Sequence, residues 1–238
     1  MLIAGHQPEY LPYIGFFNKM MLVDKFIIVD HVQFVKKSWQ NRNRIRTSNG
    51  WIFLTVPVLT KGNFFQKIKE VKINNSFNWQ RKHLKSILIN YKNSPYFKDF
   101  KYFFEELYSK KWEYLSELNE TIIKFIAKEL KINVEILKSS NLEIEGLKTD
   151  LLIDLCKKLH ADSYLSGEGG HNYVDETKFK ENNLKHFFRV SEPITYRQQF
   201  KSFVPDMSII DLLFNCDKDV TISLIKKSGK IDVNQKLK

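Results

Sequence analysis

Short apolar runs alternate with stretches of helical periodicity along this chain. Leu2-Ile3-Ala4, closed by Gly5, reads as a buried strand. Pro12 opens a helix on which Phe16, Phe17, Met20 and Met21 fall at helical spacing. Phe26-Ile27-Ile28-Val29 predicts a second strand. The β-branched, aromatic stretch Trp51 to Val58, after a turn at Asn49-Gly50, predicts a third. Ile68, Val71 and Ile73 suggest an edge strand. Helical spacing then covers Asn78 to Tyr91, Tyr96 to Tyr108 and Glu113 to Leu130. Val134 to Leu137 reads as a strand. Leu147 to Leu159 reads as a helix with Leu151, Leu152, Leu155 and Leu159 on one face. Ser163-Tyr164-Leu165 predicts a strand ending in Ser166-Gly167, and Lys185 to Val190 another. Ser208 to Phe214 and Val220 to Ile225 read as closing helices, and Lys226 to Lys238 as a polar, frayed end.

Strands alternating with helices argue for an α/β fold with a mostly parallel, Rossmann-like sheet and helices on both faces. The three central helices, residues 78–131, interrupt the alternation as a helical insertion in a single domain spanning 1–238.

Composition narrows the classes. With 43% hydrophobic and 27% charged residues the chain is globular, which excludes a disordered tail, a collagen and a coiled coil. Two cysteines, Cys156 and Cys216, are too few for a disulfide framework, so a reducing, cytoplasmic compartment is expected. No run approaches the ~18 apolar residues of a membrane span, and Gly5 to Glu9 interrupts anything resembling a signal peptide. Six scattered histidines offer no metal-ligand spacing, so no metal is expected. The formal net charge is +11, and it is unevenly spread: between His31 and Lys69 there is no acid but eight Lys and Arg residues. Nucleic acid, an anionic membrane surface and a phosphorylated small substrate are the natural partners of such a chain.

Ligands of open parallel sheets sit beyond the carboxyl ends of strands. His6 and Tyr10 follow the first predicted strand, and Asp30, His31 and Gln33 the second. Lys36, Asn41, Arg42 and Arg44 come next; in an extended segment Arg42 and Arg44 share one face and suit bidentate phosphate or carboxylate contacts. Later come Ser166, Gly167, Gly169 and Gly170, whose glycines permit close approach of a ligand, then His171 and Tyr173. These stretches are expected to converge on one rim. His6 is the candidate for proton transfer, with Tyr10, Gln33 and Tyr173 positioning the substrate. Along the chain the aromatics do not interleave with basic residues in a nucleic-acid-binding pattern.

His6-Gln7-Pro8-Glu9-Tyr10-Leu11-Pro12-Tyr13-Ile14-Gly15-Phe16-Phe17 resembles the opening signature of the WbqC-like protein family. Asp30-His31-Val32-Gln33-Phe34, Asn41-Arg42-Asn43-Arg44-Ile45, Leu54-Thr55-Val56-Pro57-Val58, Ala161 to Gly167, Tyr173 and Ser208 to Asn215 resemble it too, nearly end to end. His31 departs from it, standing where the family usually carries a second Asp. The resemblance implies a bacterial surface-polysaccharide (O-antigen) setting and a transferase passing an acyl or aminoacyl group, such as glycyl, to an amino sugar. That acceptor is expected on a nucleotide or another phosphate-containing carrier. Amide formation needs an activated donor, generated with ATP or pre-activated, an aminoacyl-tRNA being one candidate. The first strand and turn also resemble nucleotidyltransferases with a His-x-Gly-His motif, although Tyr13-Ile14-Gly15-Phe16 lacks the paired histidines. A nucleotide-binding enzyme of that kind and a nucleic-acid-binding module are the alternatives, and a catalytically silent scaffold held to the inner membrane by charge is a third.

Overall fold

The computed structural model describes residues 1–232. Five parallel strands form the sheet: β1 (Leu2–His6), β2 (Lys25–Ile28), β5 (Glu135–Lys138), β6 (Ser163–Ser166) and β7 (Lys185–Ser191). An antiparallel edge strand, β8 (Gly229–Ile231), completes it in the order β5-β2-β1-β6-β7-β8. The remaining strands, β3 (Arg42–Thr47) and β4 (Gly50–Thr55), pair only with each other as a hairpin.

Alternation along the strands sorts their side chains between two layers. Ala4, Phe26 and Leu165 face one core, filled by α1 (Ile14–Met21), α2 (Trp79–Tyr91), α3 (Phe97–Ser109), α4 (Leu115–Glu129) and α7 (Ile209–Asn215), with Ile225 of α8 (Lys218–Lys227). Ile3, Ile27, Val29 and Tyr164 face the other, covered by α5 (Thr149–Lys158) and by Phe179 of α6 (Glu176–Glu181). The chain thus winds outward from β1 through β2 to β5 on one face. It then returns across the sheet and winds the other way through β6 and β7. The direction reverses between β1 and β6, where Leu2 and Ile3 pair with Ser163 and Tyr164. Such a switch point leaves a crevice beyond the strand ends.

Two expectations need correction, and one strand is added. Residues 68–73 form no edge strand: Glu70 accepts the Lys67 amide at 3.0 Å and closes a one-turn 3-10 helix over Ile68–Glu70. Val58 and Ile73 meet only in an isolated bridge. The segment from Lys226 is ordered, because Lys226–Lys227 end α8 and Gly229–Ile231 pair with Arg189–Ser191. The expected frayed tail at 233–238 lies outside the described residues. The polar segment before Asn49 is itself a strand, β3, since Arg42, Arg44 and Arg46 pair opposite Thr55, Phe53 and Trp51.

Candidate active site

The reversal point opens into a cleft of about 510 Å3. Its walls come mainly from three stretches far apart in the chain, with single residues added from elsewhere. Gly5 and His6 end β1, and Gln7 and Glu9 follow it. Ser38, Trp39 and Gln40 come from the loop before β3. Gly167, Gly169, Gly170 and Tyr173 follow β6, and Lys148 stands at the start of α5.

The loop after β1 is held from several sides. The Tyr10 amide donates to the Trp39 carbonyl at 3.0 Å. Asn43 Nδ2 donates to the Leu11 carbonyl, and Asn119 Nδ2 of α4 donates to the carbonyls of Pro8 and Gln40. Gln40 Nε2 reaches Gln7 Oε1 at 2.7 Å. The β1–β2 ladder holds His6, whose carbonyl accepts the Val29 amide at 2.8 Å, while this bracing fixes the segment that carries Glu9.

Three titratable groups cluster at the cleft floor. His6 Nδ1 lies 2.9 Å from the Gln7 carbonyl. A carbonyl only accepts, so Nδ1 carries the proton and Nε2 presents a lone pair. Nε2 stands 3.9 Å from Glu9 Oε1, and the ring packs edge-on against Phe16. Burial, reinforced by the positive charge of Lys19, lowers the imidazole to about 3, so His6 is neutral at physiological pH. Glu9 is 6% exposed, and burial raises its carboxyl to about 8 against the opposing pull of Lys19. Its Oε2, sealed from solvent, has no hydrogen-bond partner among the described residues. Lys19 projects from α1 and donates from Nζ to the Gly5 carbonyl at 2.9 Å. Burial lowers its ammonium to about 7 against the favourable field of Glu9, and Arg189 depresses it further. A Cβ placed on Gly167 would sit 3.9 Å from that Nζ, which puts the lysine beside the loop after β6.

Two glycines of this loop differ in kind. At Gly170 a Cβ would meet Ser166 Cβ at 2.8 Å and Phe188 at 3.0 Å, so only glycine fits. At Gly169 nothing lies within 4 Å, and the backbone faces open cleft.

Not every residue singled out from the sequence reaches the cleft. His6, Gly167, Gly169, Gly170 and Tyr173 line it. Ser166 is buried just behind, its hydroxyl 2.8 Å from His186 Nε2. His171 stacks on Phe188 at the surface. Tyr10 lies wholly in the core, its hydroxyl 2.8 Å from His83 Nδ1 and 2.5 Å from the Tyr108 hydroxyl. Gln33 is exposed and donates to the Phe64 carbonyl; Lys36 is exposed on the following turn. Asn41 turns inward to the Val56 carbonyl. The Arg42 guanidinium lies 4.3 Å over the Phe53 ring. That of Arg44 packs over Trp39 and Trp51, within 3.6 Å of Asp206. The two arginines therefore belong to the hairpin face, and Trp39 is the residue that face shares with the cleft. Basic and aromatic residues do interleave there, across strands rather than along the chain. His31 contacts Ser139 Oγ at 2.6 Å, while Asp30 is saturated by Ser139 and Ser140. Among the described residues no group of three His, Cys, Asp or Glu side chains is placed to hold a metal ion, and no helix is long and apolar enough to cross a membrane.

Glu9 and Lys19 were not singled out. Glu9 sits inside the quoted signature. The signal at Lys19 was Asn18-Lys19 between Phe17 and Met20, two polar residues on a helix buried nearly all round.

A doubly wound sheet with a desolvated acid, base and ammonium at its switch point defines a Rossmann-like α/β protein with an enzyme-like cleft. The profile of the WbqC-like protein family matches residues 7–222, and the chain belongs to that family. The uncharacterized Mycobacterium tuberculosis protein Rv1507c is 36% identical over 215 residues, which cover 90% of this chain and 93% of that one. No solved structure matches.

Proposed function

We propose that this chain is a transferase of bacterial surface-polysaccharide biosynthesis that passes an acyl or aminoacyl group to the amine of a phosphate-borne amino sugar. The observation that carries the reading is the Glu9 carboxyl, almost wholly buried in the wall of the cleft beside a neutral His6 and a desolvated Lys19. In the transfer, the sugar amine attacks the carbonyl carbon of the activated donor. A C–N bond forms, the bond from that carbon to its leaving oxygen breaks, and one proton passes from the nitrogen to the departing side. A carboxyl that titrates close to the working pH suits both proton acceptance and return. Glu9 takes that role in place of His6, whose lowered value makes it the weaker base. The His6 Nε2 lone pair then accepts a hydrogen bond from the incoming amine and orients it. Lys19, beside Gly167, offers its ammonium to the developing carbonyl oxyanion. Lys148, exposed at the mouth, meets the phosphate of the carrier. The donor is ATP-generated or pre-activated.

The location of the cleft at the switch point favours a second reading, nucleotide binding of the nucleotidyltransferase kind. Mass spectrometry of the surface polysaccharide from a deletion strain separates the two. Loss of an N-acyl or aminoacyl group, restored by the wild-type gene but not by Glu9→Gln, is expected. A polysaccharide of unchanged mass overturns acyl transfer.

A further inference from the structure

The rings of Phe64 and Phe65 stand 77% and 85% exposed, and neither has a ring or cation neighbour among the described residues. Exposed apolar residues normally occur singly; here two adjacent phenylalanines project from a loop whose backbone is held. The Phe34 amide donates to the Gln66 carbonyl at 3.0 Å, and Gln33 Nε2 donates to the Phe64 carbonyl at 3.1 Å. Gln66 Nε2 crosses the loop to the Leu59 carbonyl at 3.0 Å. The antiparallel bridge Gln33↔Lys67 directs the neighbouring segment toward Val35, itself 55% exposed, alongside Phe65. The result is an apolar tip on a braced base.

Charge surrounds it with one sign. Lys36 and Lys37 follow Val35, Lys61 precedes the phenylalanines and Lys67 follows them, all four exposed. No Asp or Glu occurs between His31 and Lys69; Glu70 is engaged by the Lys67 amide. We infer that this tip docks on an anionic phospholipid surface, Phe64 and Phe65 entering the headgroup boundary while the lysines meet lipid phosphates. Aromatic rings with flanking lysines suit that interface, the apolar stems reaching inward and the ammonium groups staying with the headgroups. A nucleic-acid strand fits this tip less well. The rings that lie among arginines, Phe53 and Trp51, already carry guanidinium groups on their faces, whereas Phe64 and Phe65 have no cation partner.

The tip lies close to the cleft. The amide of Val35 donates to Gln40 Oε1, and Gln40 lines the cleft. Docking would hold the cleft mouth near the bilayer, where a carrier anchored in lipid presents its phosphate. The docking itself does not depend on the reaction assigned to the cleft.

Co-sedimentation of the whole protein with vesicles of phosphatidylglycerol and phosphatidylethanolamine tests it, with phosphatidylcholine vesicles and single-stranded RNA as controls. Expected is binding to the anionic vesicles alone. It should weaken with salt, fall by roughly fivefold for Lys61→Ala, and be lost in the double variant Phe64→Ser/Phe65→Ser. That variant should melt as the wild type does, since the rings pack on nothing. The inference is overturned by vesicle binding that survives loss of both phenylalanines, by binding to RNA but not vesicles, or by no vesicle binding together with a concentration-dependent dimer that the double variant abolishes. Vesicle binding without acyl transfer would sink the reaction and leave the docking, and the converse would do the opposite.

Discussion

Replacing Glu9 by Gln keeps the shape of the side chain and removes its proton equilibrium. The ordinary carboxyl value is 4.5, and burial raises it to about 8 in the folded protein. Between those values the unfolded chain is ionised while the folded chain holds its proton, so the contribution of this group is full below 4.5 and drains away as pH climbs toward 8. By pH 7 the mismatch costs the folded state up to about 3 kcal/mol, at about 1.4 kcal/mol per pH unit. The variant recovers that cost. At roughly 2–4 °C per kcal/mol for a chain of this length, a rise in Tm of up to roughly 6–12 °C is expected at pH 7. None is expected at pH 4, where both states hold the proton. Differential scanning fluorimetry of both proteins at the two pH values reads the effect directly. Turnover in the same variant should drop by roughly 10²–10⁴-fold. A lower Tm at pH 7, or the same gain at pH 4 as at pH 7, would refute a carboxyl kept protonated by burial.

Three further outcomes are expected. Gly169→Ala should leave urea unfolding within about 0.5 kcal/mol of wild type yet weaken substrate, because its methyl enters open cleft; Gly170→Ala should cost about 1–3 kcal/mol by pushing Ser166 and Phe188. Asp211→Ala should cost about 3 kcal/mol in urea unfolding, since it strands the buried hydroxyls of Tyr91 and Tyr196 and the amide of Gln198. In His6→Asn, stability should fall less steeply as pH drops from 6.5 toward 3, because the wild-type unfolded chain takes a proton that the buried imidazole refuses; equal slopes in the two proteins would remove the buried neutral histidine.

Much of the architecture was legible because burial on both faces writes apolar runs, as at Phe26 to Val29, and one-sided burial writes helical spacing, as at Leu151, Leu152 and Leu155. The order of these elements was enough to anticipate a parallel sheet with helices on both sides. The hairpin was half seen: Asn49-Gly50 marked the turn, but Arg42-Asn43-Arg44 looked like free positive charge. Their partners, Phe53 and Trp51, stand on the opposite strand, and pairing across strands leaves no trace along one strand. Tyr10 misled for a related reason. Beside His6 in sequence, it points down to His83 and Tyr108 while His6 points to the cleft. His6 and Gly169 were legible from strand ends and glycines. Glu9 and Lys19 were not, because what sets them apart is desolvation, a property of the packing above them.

The contacts of Asn119 carry one more implication. From the second turn of α4 its amide supports the carbonyls of Pro8 and Gln40, while α2 and α3 supply the histidine and tyrosine on which the Tyr10 hydroxyl rests. The helices between the hairpin and β5 are thus the foundation slab under the reaction chamber. Pruning them for a smaller catalyst would let its floor sag, and a transplant of the chamber has to carry the slab together with the signature loop and the glycine loop after β6.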